Sequence, residues 1–400
     1  MKIVGIIAAV VLVSGAAVGG YVLYDLSSTL TANAVDLEGQ ESVPPDIGEL
    51  KGGVNMMLVG TDKCETSYSQ YFGLRCEEDD GGERNDVNMI LHISEEPRRV
   101  TVITIPRDLM LPIPECTDPD GNTTSAMSKQ AINTTFETGG LNCVVKTASQ
   151  LTGLDIPFAA KITWGGVIEI TNAIGGVDVC VANGLVDEFT SLNLAPGTHN
   201  LKGYEALQFL RTRHGVGDGS DLGRISNQQV YMSALARKMI SGEVLGNPGT
   251  LLKLAKTVLD NVTKSQSLTN PMLLVQIASA IKNVPFSDIN FVQYPVLTDP
   301  DNPNKVVPDE DSAKTLFDAL AANQEIKVTS HADGVVLEGD GTTPTDGSAP
   351  ADGSTPTDGT PVPTEQADPT PAPTGPVSLP QNVKGQSAAQ PTCSNGVGFN

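Results

Sequence analysis

Five of the chain's nine arginines, Arg84, Arg107, Arg211, Arg213 and Arg224, fall in three short segments at predicted ends of strands or helices. Forked guanidinium groups are natural partners of phosphate oxygens, so the grouping points to a phosphate-bearing ligand. Arg107 in Thr104-Ile105-Pro106-Arg107-Asp108 follows an apolar strand, and open α/β sheets bind ligands beyond the carboxyl ends of their strands. Arg211 and Arg213 close a predicted helix, and Arg224 follows the Gly-rich run from His214 to Gly219. For any one arginine a structural reading is the commoner one. Arg211 and Arg213 could complement a helix C-terminus, and Arg107 could pair with Asp108 or another acid. Their grouping is what favours a ligand.

Two carboxylates stand beside the same strands. Asp62 closes Leu58-Val59-Gly60-Thr61-Asp62, and Asp86 opens Asp86-Val87-Asn88-Met89. Strand-end carboxylates with phosphate oxygens suit magnesium, or manganese, which takes one or two carboxylates, waters and substrate oxygens. Taken alone, each aspartate is a turn former. Other chemistries lack their signatures: there is no Gly-x-Ser-x-Gly elbow, no His-Glu-x-x-His and no complete P-loop. The four histidines are scattered and no Cys-x-x-Cys occurs, which disfavours structural zinc.

Positioning these groups requires a scaffold. Short β-branched runs predict strands at Val54–Gly60, Val87–Ser94, Val100–Ile105, Ala159–Thr163, Val177–Val181 and Ile289–Val296. Helical periodicity marks Lys129–Thr138, Leu141–Leu151, Trp164–Ala173, Gly203–Arg211, Arg224–Ser241, Leu251–Asn261, Pro271–Lys282 and Ser312–Ala322. Interleaving of this kind predicts a single α/β layered domain over 45–330, a central mixed sheet with helices on both faces. Before it, the uncharged run Ile3–Tyr24 is long enough to cross a bilayer, and Lys2 favours a cytoplasmic N-terminus. A cleaved signal peptide is the alternative, with Ala32-Asn33-Ala34 as its cleavage site. Residues 1–25 are thus expected to be the anchor, 26–44 a linker, and the domain to lie outside the cytoplasm at the cell membrane.

The 400 residues carry a formal charge of −22, which argues against nucleic acid as a partner. Residues 331–400, rich in Pro, Thr, Gly and Asp, hold eight of the acids and a single lysine. They show no apolar periodicity and are expected to be a disordered tail. The six cysteines fit an oxidising compartment, as disulfides or as buried thiols. Cys64–Cys76 is the favoured pair, and Cys393 can be left unpaired.

Taken in order, several segments resemble the LytR-CpsA-Psr family of bacterial cell-envelope proteins. They are Met57-Leu58-Val59-Gly60-Thr61-Asp62, Arg84-Asn85-Asp86-Val87-Asn88-Met89-Ile90, Thr104-Ile105-Pro106-Arg107-Asp108 and Ile132-Asn133 with Gly139-Gly140. Then follow Ile174-Gly175-Gly176-Val177-Asp178-Val179, Leu201 through Arg213, and Asp221-Leu222-Gly223-Arg224-Ile225-Ser226-Asn227-Gln228-Gln229. The resemblance covers about residues 50–245 and extends less clearly to about 330.

The resemblance implies a phosphotransferase that moves a glycopolymer from a polyprenyl-diphosphate carrier onto peptidoglycan through a phosphodiester link. It implies magnesium at Asp62 and Asp86, and diphosphate contacts from Arg84, Arg107, Arg211, Arg213, Arg224 and Gln228. Lys129 is a further contact, two residues from Ala131, where the family carries a basic residue. Asp221 is expected to act as base on the acceptor hydroxyl. An apolar tunnel between sheet and helices is expected to hold the lipid. A polyprenyl-diphosphate phosphatase and a non-catalytic lipid-diphosphate-binding regulator are the alternatives; the oligomeric state is left open.

Overall fold

The computed structural model describes residues 34–37, 52–73, 76, 82–240, 244, 248–339 and 375–397. The Ile3–Tyr24 run lies outside them. Among the described residues, no helix is long and apolar enough to cross a membrane.

The central sheet has seven strands. In chain order they are β1 (Val54–Thr61), β2 (Asn85–Ile93), β3 (Val100–Ile105), β4 (Phe158–Ile162), β9 (Val262–Lys264), β10 (Ile289–Gln293) and β12 (Gly385–Ser387). A smaller sheet is built from β5 (Val177–Val181), β8 (Gly197–Leu201), β11 (Val335–Leu337) and β13 (Thr392–Ser394), and β6 (Leu185–Asp187) and β7 (Leu192–Leu194) form a hairpin. The order across the large sheet is β9-β4-β1-β2-β3-β10-β12. It is mixed: β1 runs antiparallel to β2 and parallel to β4, and β3 runs parallel to β10.

Alternation along the strands sends side chains to two cores. Met57, Val59, Ile90, Ile103 and Ile105 face α1 (Thr135–Thr152) and α7 (Glu310–Ala321), meeting Leu141, Val144, Ala148, Leu316 and Leu320. Val54, Met56, Met89, Val100 and Val102 face the opposite side, where α6 (Pro271–Lys282) contributes Leu273 and Ile277. The expected layering, helices on both faces of a mixed sheet, is present. On this second face α2 (Trp164–Ala173), α3 (Gly203–Arg211), α4 (Asp221–Ile240) and α5 (Pro248–Asn261) complete the cover.

Three expectations change. The predicted helix Lys129–Thr138 begins instead as the strand Met127–Ala131, paired with Met110–Ile113, and α1 starts at Thr135. Within α1 the chain bends at Gly139-Gly140, where Gly140 takes φ +62°, and a Cβ on Gly139 would press on Cys116 and Cys143 at 2.8 and 2.9 Å. These glycines therefore make room for the Cys116–Cys143 disulfide.

The second change is the C-terminus. Disorder from 331 onward does not describe residues 331–339 or 375–397; residues 340–374 lie outside the described ones. β12 extends the central sheet along β10, and β13 lies between β5 and β11. Leu379, Val383 and Ala388 are buried in the two cores. A few well-placed apolar side chains thus anchor a segment whose composition suggests none. Thirdly, Cys393 is paired: β13 meets β5 at the Cys393–Cys180 disulfide. Cys64–Cys76 forms as expected, and none of the described cysteines is free.

Candidate functional site

On the second face, sheet and helices do not close on each other. They enclose a cavity of about 690 Å³, walled by Met56, Leu58, Met89 and Ile162 from the sheet and by Val167, Leu207, Leu210, Leu235 and Val258 from α2, α3, α4 and α5. Its lining includes a polar group of Asp86, Arg107, Arg211, Arg213, Arg224 and Gln228.

Each of these side chains is delivered by an element end. Asp86 is the second residue of β2, and Arg107 stands two residues beyond β3. Asp221, Arg224 and Gln228 occupy the first two turns of α4, with Asp221 placed where a helix favours negative charge. Arg211 ends α3, whose buried Ala206, Leu207 and Phe209 set its outward face. Asn227 and Gln228 donate their amides to the carbonyls of Phe209 (2.9 Å) and Leu210 (3.0 Å). The last carbonyls of a helix need partners, so α4 both caps α3 and fixes where Arg211 and Arg213 begin.

The centre of the polar group is an interlocked set of charges. Arg107 Nη1 donates to both Asp86 oxygens at 3.0 Å, and its Nε lies 3.3 Å from Asp221 Oδ1 and 3.6 Å from Asp108 Oδ2. Arg224 Nη2 lies 2.7 Å from Asp221 Oδ1 and donates to the Asp86 carbonyl at 2.7 Å. Burial works against the Arg107 charge, but Asp86, Asp221 and Asp108 outweigh it and hold the guanidinium above its ordinary range. Asp221 is 8 % exposed. Desolvation pushes its carboxyl up, with Arg224 and Arg107 pulling back, and Asp108 and Asp86 adding to the rise. Despite its ion pairs, neither Asp221 oxygen has a hydrogen bond of acceptable geometry. A buried carboxylate of raised basicity beside two arginines can take a proton while the arginines hold an anion.

Other expected residues lie at the edge or away. Asp62 and Arg84 join the neck of the 62–84 insertion: Arg84 N donates to Asp62 Oδ1 at 2.8 Å, and the Arg84 side chain reaches Glu137 at 3.5 Å. Neither side chain is part of the cavity wall, although Thr61, next to Asp62, is. Lys129 is turned elsewhere, paired with Asp299 at 2.8 Å and Asp301 at 2.6 Å on a strand where a helix was expected. The pairing of Arg107 with acids, stated above as its structural reading, also holds here, but in a set of three carboxylates at a cavity.

Several residues escaped the sequence. Lys161 lines the cavity and binds Glu83 at 2.7 Å, with Glu83 also accepting from Thr61 at 2.6 Å. Trp164 lies beneath Arg211, whose guanidinium carbon stands 4.0 Å from the ring centroid, and Phe72 of the insertion lies 4.6 Å from Trp164. Trp164 is the only tryptophan of the chain, a composition signal that could have drawn notice. Asp108, adjacent to Arg107, also pairs with Lys305.

A family model described as the LytR_cpsA_psr family matches residues 20–322. The chain belongs to this family. It is similar to the cell wall biosynthesis protein LcpA of Corynebacterium glutamicum, 25 % identical over 307 residues, covering 72 % of this chain and 58 % of that protein. It also matches TagV of Bacillus subtilis, named a polyisoprenyl-teichoic acid–peptidoglycan teichoic acid transferase, at 26 % identity over 246 residues, covering 59 % of this chain and 60 % of that one. The chain thus spans about 58–60 % of the length of these curated LytR_cpsA_psr relatives. Among solved structures, the LytR-Csp2A-Psr enzyme from Actinomyces oris shares the fold with a TM-score of 0.51 and 24 % identity, covering 72 % of this chain and 94 % of that one.

Proposed function

We propose that this LytR_cpsA_psr member is an extracytoplasmic phosphotransferase that moves a glycopolymer from a polyprenyl-diphosphate carrier to peptidoglycan. One observation carries the reading: Asp86, Arg107 and Arg224, linked to one another and to the buried Asp221 behind them, head a largely apolar cavity. Such a site matches a ligand with an anionic head and a long hydrocarbon tail. The relatives named as transferases of polyisoprenyl-linked polymers support the same reading.

In this reading the diphosphate lies against Arg107, Arg224, Arg211 and Arg213, which neutralise charge as it builds on the transferring phosphorus. Asp221 takes the proton of an acceptor sugar hydroxyl. The new bond joins that oxygen to the phosphorus bearing the glycopolymer; the bond that breaks is the one to the bridging oxygen, and polyprenyl phosphate leaves with the electron pair. A magnesium or manganese ion would be held by Asp62 and Asp86. Their all-oxygen donor chemistry fits such an ion. When bound, the ion would supply charge stabilisation at the phosphoryl oxygens. The apolar run Ile3–Tyr24 supports anchoring at the membrane where the carrier lipid resides.

The test uses the full chain in detergent with a lipid-linked disaccharide diphosphate, magnesium and soluble peptidoglycan. Asp86→Ala and Arg107→Ala are each expected to lower covalent linkage by about 10²-fold or more, with circular dichroism unchanged. Wild-type linkage in both variants overturns the assignment. Release of the glycan to water with every acceptor establishes a phosphatase instead.

A further inference from the structure

Phe189 is 79 % exposed, the most exposed of the chain's large apolar side chains among the described residues. A single apolar side chain on a surface is ordinary. What surrounds this one is not. It sits in the turn between β6 and β7, and its ring lies against His214 with centroids 4.1 Å apart and planes tilted by 31°. Both rings line the mouth of the same cavity as Arg213 and Arg224.

One buried carboxylate fixes the pair. Asp187, 2 % exposed, accepts from the backbone N–H of Phe189 at 3.0 Å on one oxygen and from those of Arg213 and His214 at 2.9 and 3.1 Å on the other. Gln208 then donates to the carbonyls of Thr190 and Ser191 at 2.7 and 3.1 Å, and the Thr190 and Thr212 hydroxyls meet at 3.0 Å. At Gly215 a Cβ would strike the Val186 carbonyl oxygen, so the segment after His214 lies flat against the hairpin. Charge-assisted hydrogen bonds of this kind are among the stronger ones. Here they hold an aromatic ring out in the solvent.

We propose that Phe189 and His214 form a stacking subsite for a pyranose ring of a glycan, resting on the phosphotransferase reading above. An aromatic face is flat and electronegative, and it complements the flat C–H face of a sugar, whose hydrogens are weakly positive. The sugar's rim of hydroxyls would meet the Arg213 guanidinium and the His214 ring nitrogens, which lie 3.4 Å apart. A hydrocarbon chain has better company deeper in the cavity, among Leu207, Leu210 and Leu235. The mouth, with cationic and aromatic groups side by side, suits a ring that is apolar on its face and polar at its edge. Either the sugar attached to the diphosphate or a sugar of the accepting strand has that chemistry.

The experiment separates these two sources. Full chain in detergent is titrated with undecaprenyl diphosphate, with the same lipid bearing a disaccharide, and with a β-1,4-linked N-acetylglucosamine tetramer. Trp164 fluorescence reports the lipid arms and calorimetry reports the tetramer. Phe189→Ala is expected to weaken either the disaccharide lipid or the tetramer about five- to tenfold, and to leave the sugar-free lipid unchanged. Phe189→Tyr restores the loss and Phe189→Leu does not. The arm that moves identifies the source. Equal weakening of both lipids, or no change in any arm, overturns the subsite. If wild type transfers glycan and Phe189→Ala does so equally well, the subsite alone fails; if wild type binds neither lipid and transfers nothing, the phosphotransferase reading fails with it.

Discussion

Asp221 illustrates how burial turns an ordinary side chain into a chemical group. Its carboxyl is raised first by desolvation, with Arg224 and Arg107 opposing. A carboxyl raised in the folded state contributes its stability below the unfolded carboxylate pKa, and that contribution is lost as pH rises through the folded value. Wild type should therefore lose stability relative to Asp221→Asn as pH increases through that window. Thermal melts at successive pH values upward from about pH 4 check this: the melting temperature of wild type should fall relative to that of the Asn variant as pH rises. Over the same interval wild-type transfer should climb as the base ionises, and Asp221→Asn should remain about 10²-fold or more below it. A melting-temperature difference that stays flat with pH would overturn the raised carboxyl of Asp221. At this scale the sequence was informative where type and chain position suffice, as for Asp86 and Arg107 in strand-end motifs. It misled on Lys129, whose partners Asp299 and Asp301 lie some 170 residues away in sequence.

Elements with strong periodicity were legible to the residue. Trp164–Ala173, Gly203–Arg211, Pro271–Lys282, Val100–Ile105 and Val177–Val181 form with the bounds expected. What failed were segments whose structure comes from a distant partner. Met127–Ala131 is a strand because Met110–Ile113 lies alongside it, and Gly385–Ser387 because β10 offers an open edge. Neither carries a local pattern strong enough to announce this. α4 depends on that late segment: Gln386 donates to the Gln229 carbonyl at 2.6 Å, Ser394 bonds Asn227 at 2.5 Å, and Arg237 donates to the Ala388 carbonyl at 3.2 Å. Truncation after residue 374 removes these bonds and the Cys180–Cys393 link, which closes a separation of 213 residues. A loss of about 2–5 kcal/mol is expected from the disulfide alone, read as a lower urea midpoint. Transfer should fall with it, since α4 carries Asp221 and Arg224. Unchanged stability would show that the segment rests on the domain without supporting it.

For the whole molecule, the fold class was legible because strands and helices alternate, whereas the cavity was expected only through the family resemblance. A void is an absence of side-chain volume shared by Met56, Leu58, Leu207 and Leu235, far apart in sequence, and no single stretch records it. Protein interiors are ordinarily close-packed, so an apolar space of about 690 Å³ needs an occupant. Mass spectrometry of gently purified chain should therefore detect a co-purifying polyprenyl phosphate; its repeated absence from membrane-derived preparations would count against a lipid site. The net charge of −22 is compatible with this, because four of the nine arginines line the cavity while eight acids lie beyond residue 330.

The position of β13 sets a condition on biosynthesis. It fills the gap between β5 and β11, and Ser394 holds the helix that presents the site's carboxylate and arginine. A polypeptide is made from its N-terminus, so this gap stays open until residue 394 has left the ribosome. Every residue up to Ser394 must therefore be made before β13 can take its place beside β5 and reach α4. A product that ends before β13 lacks the hydrogen bond from Ser394 to Asn227 that ties α4 to this strand.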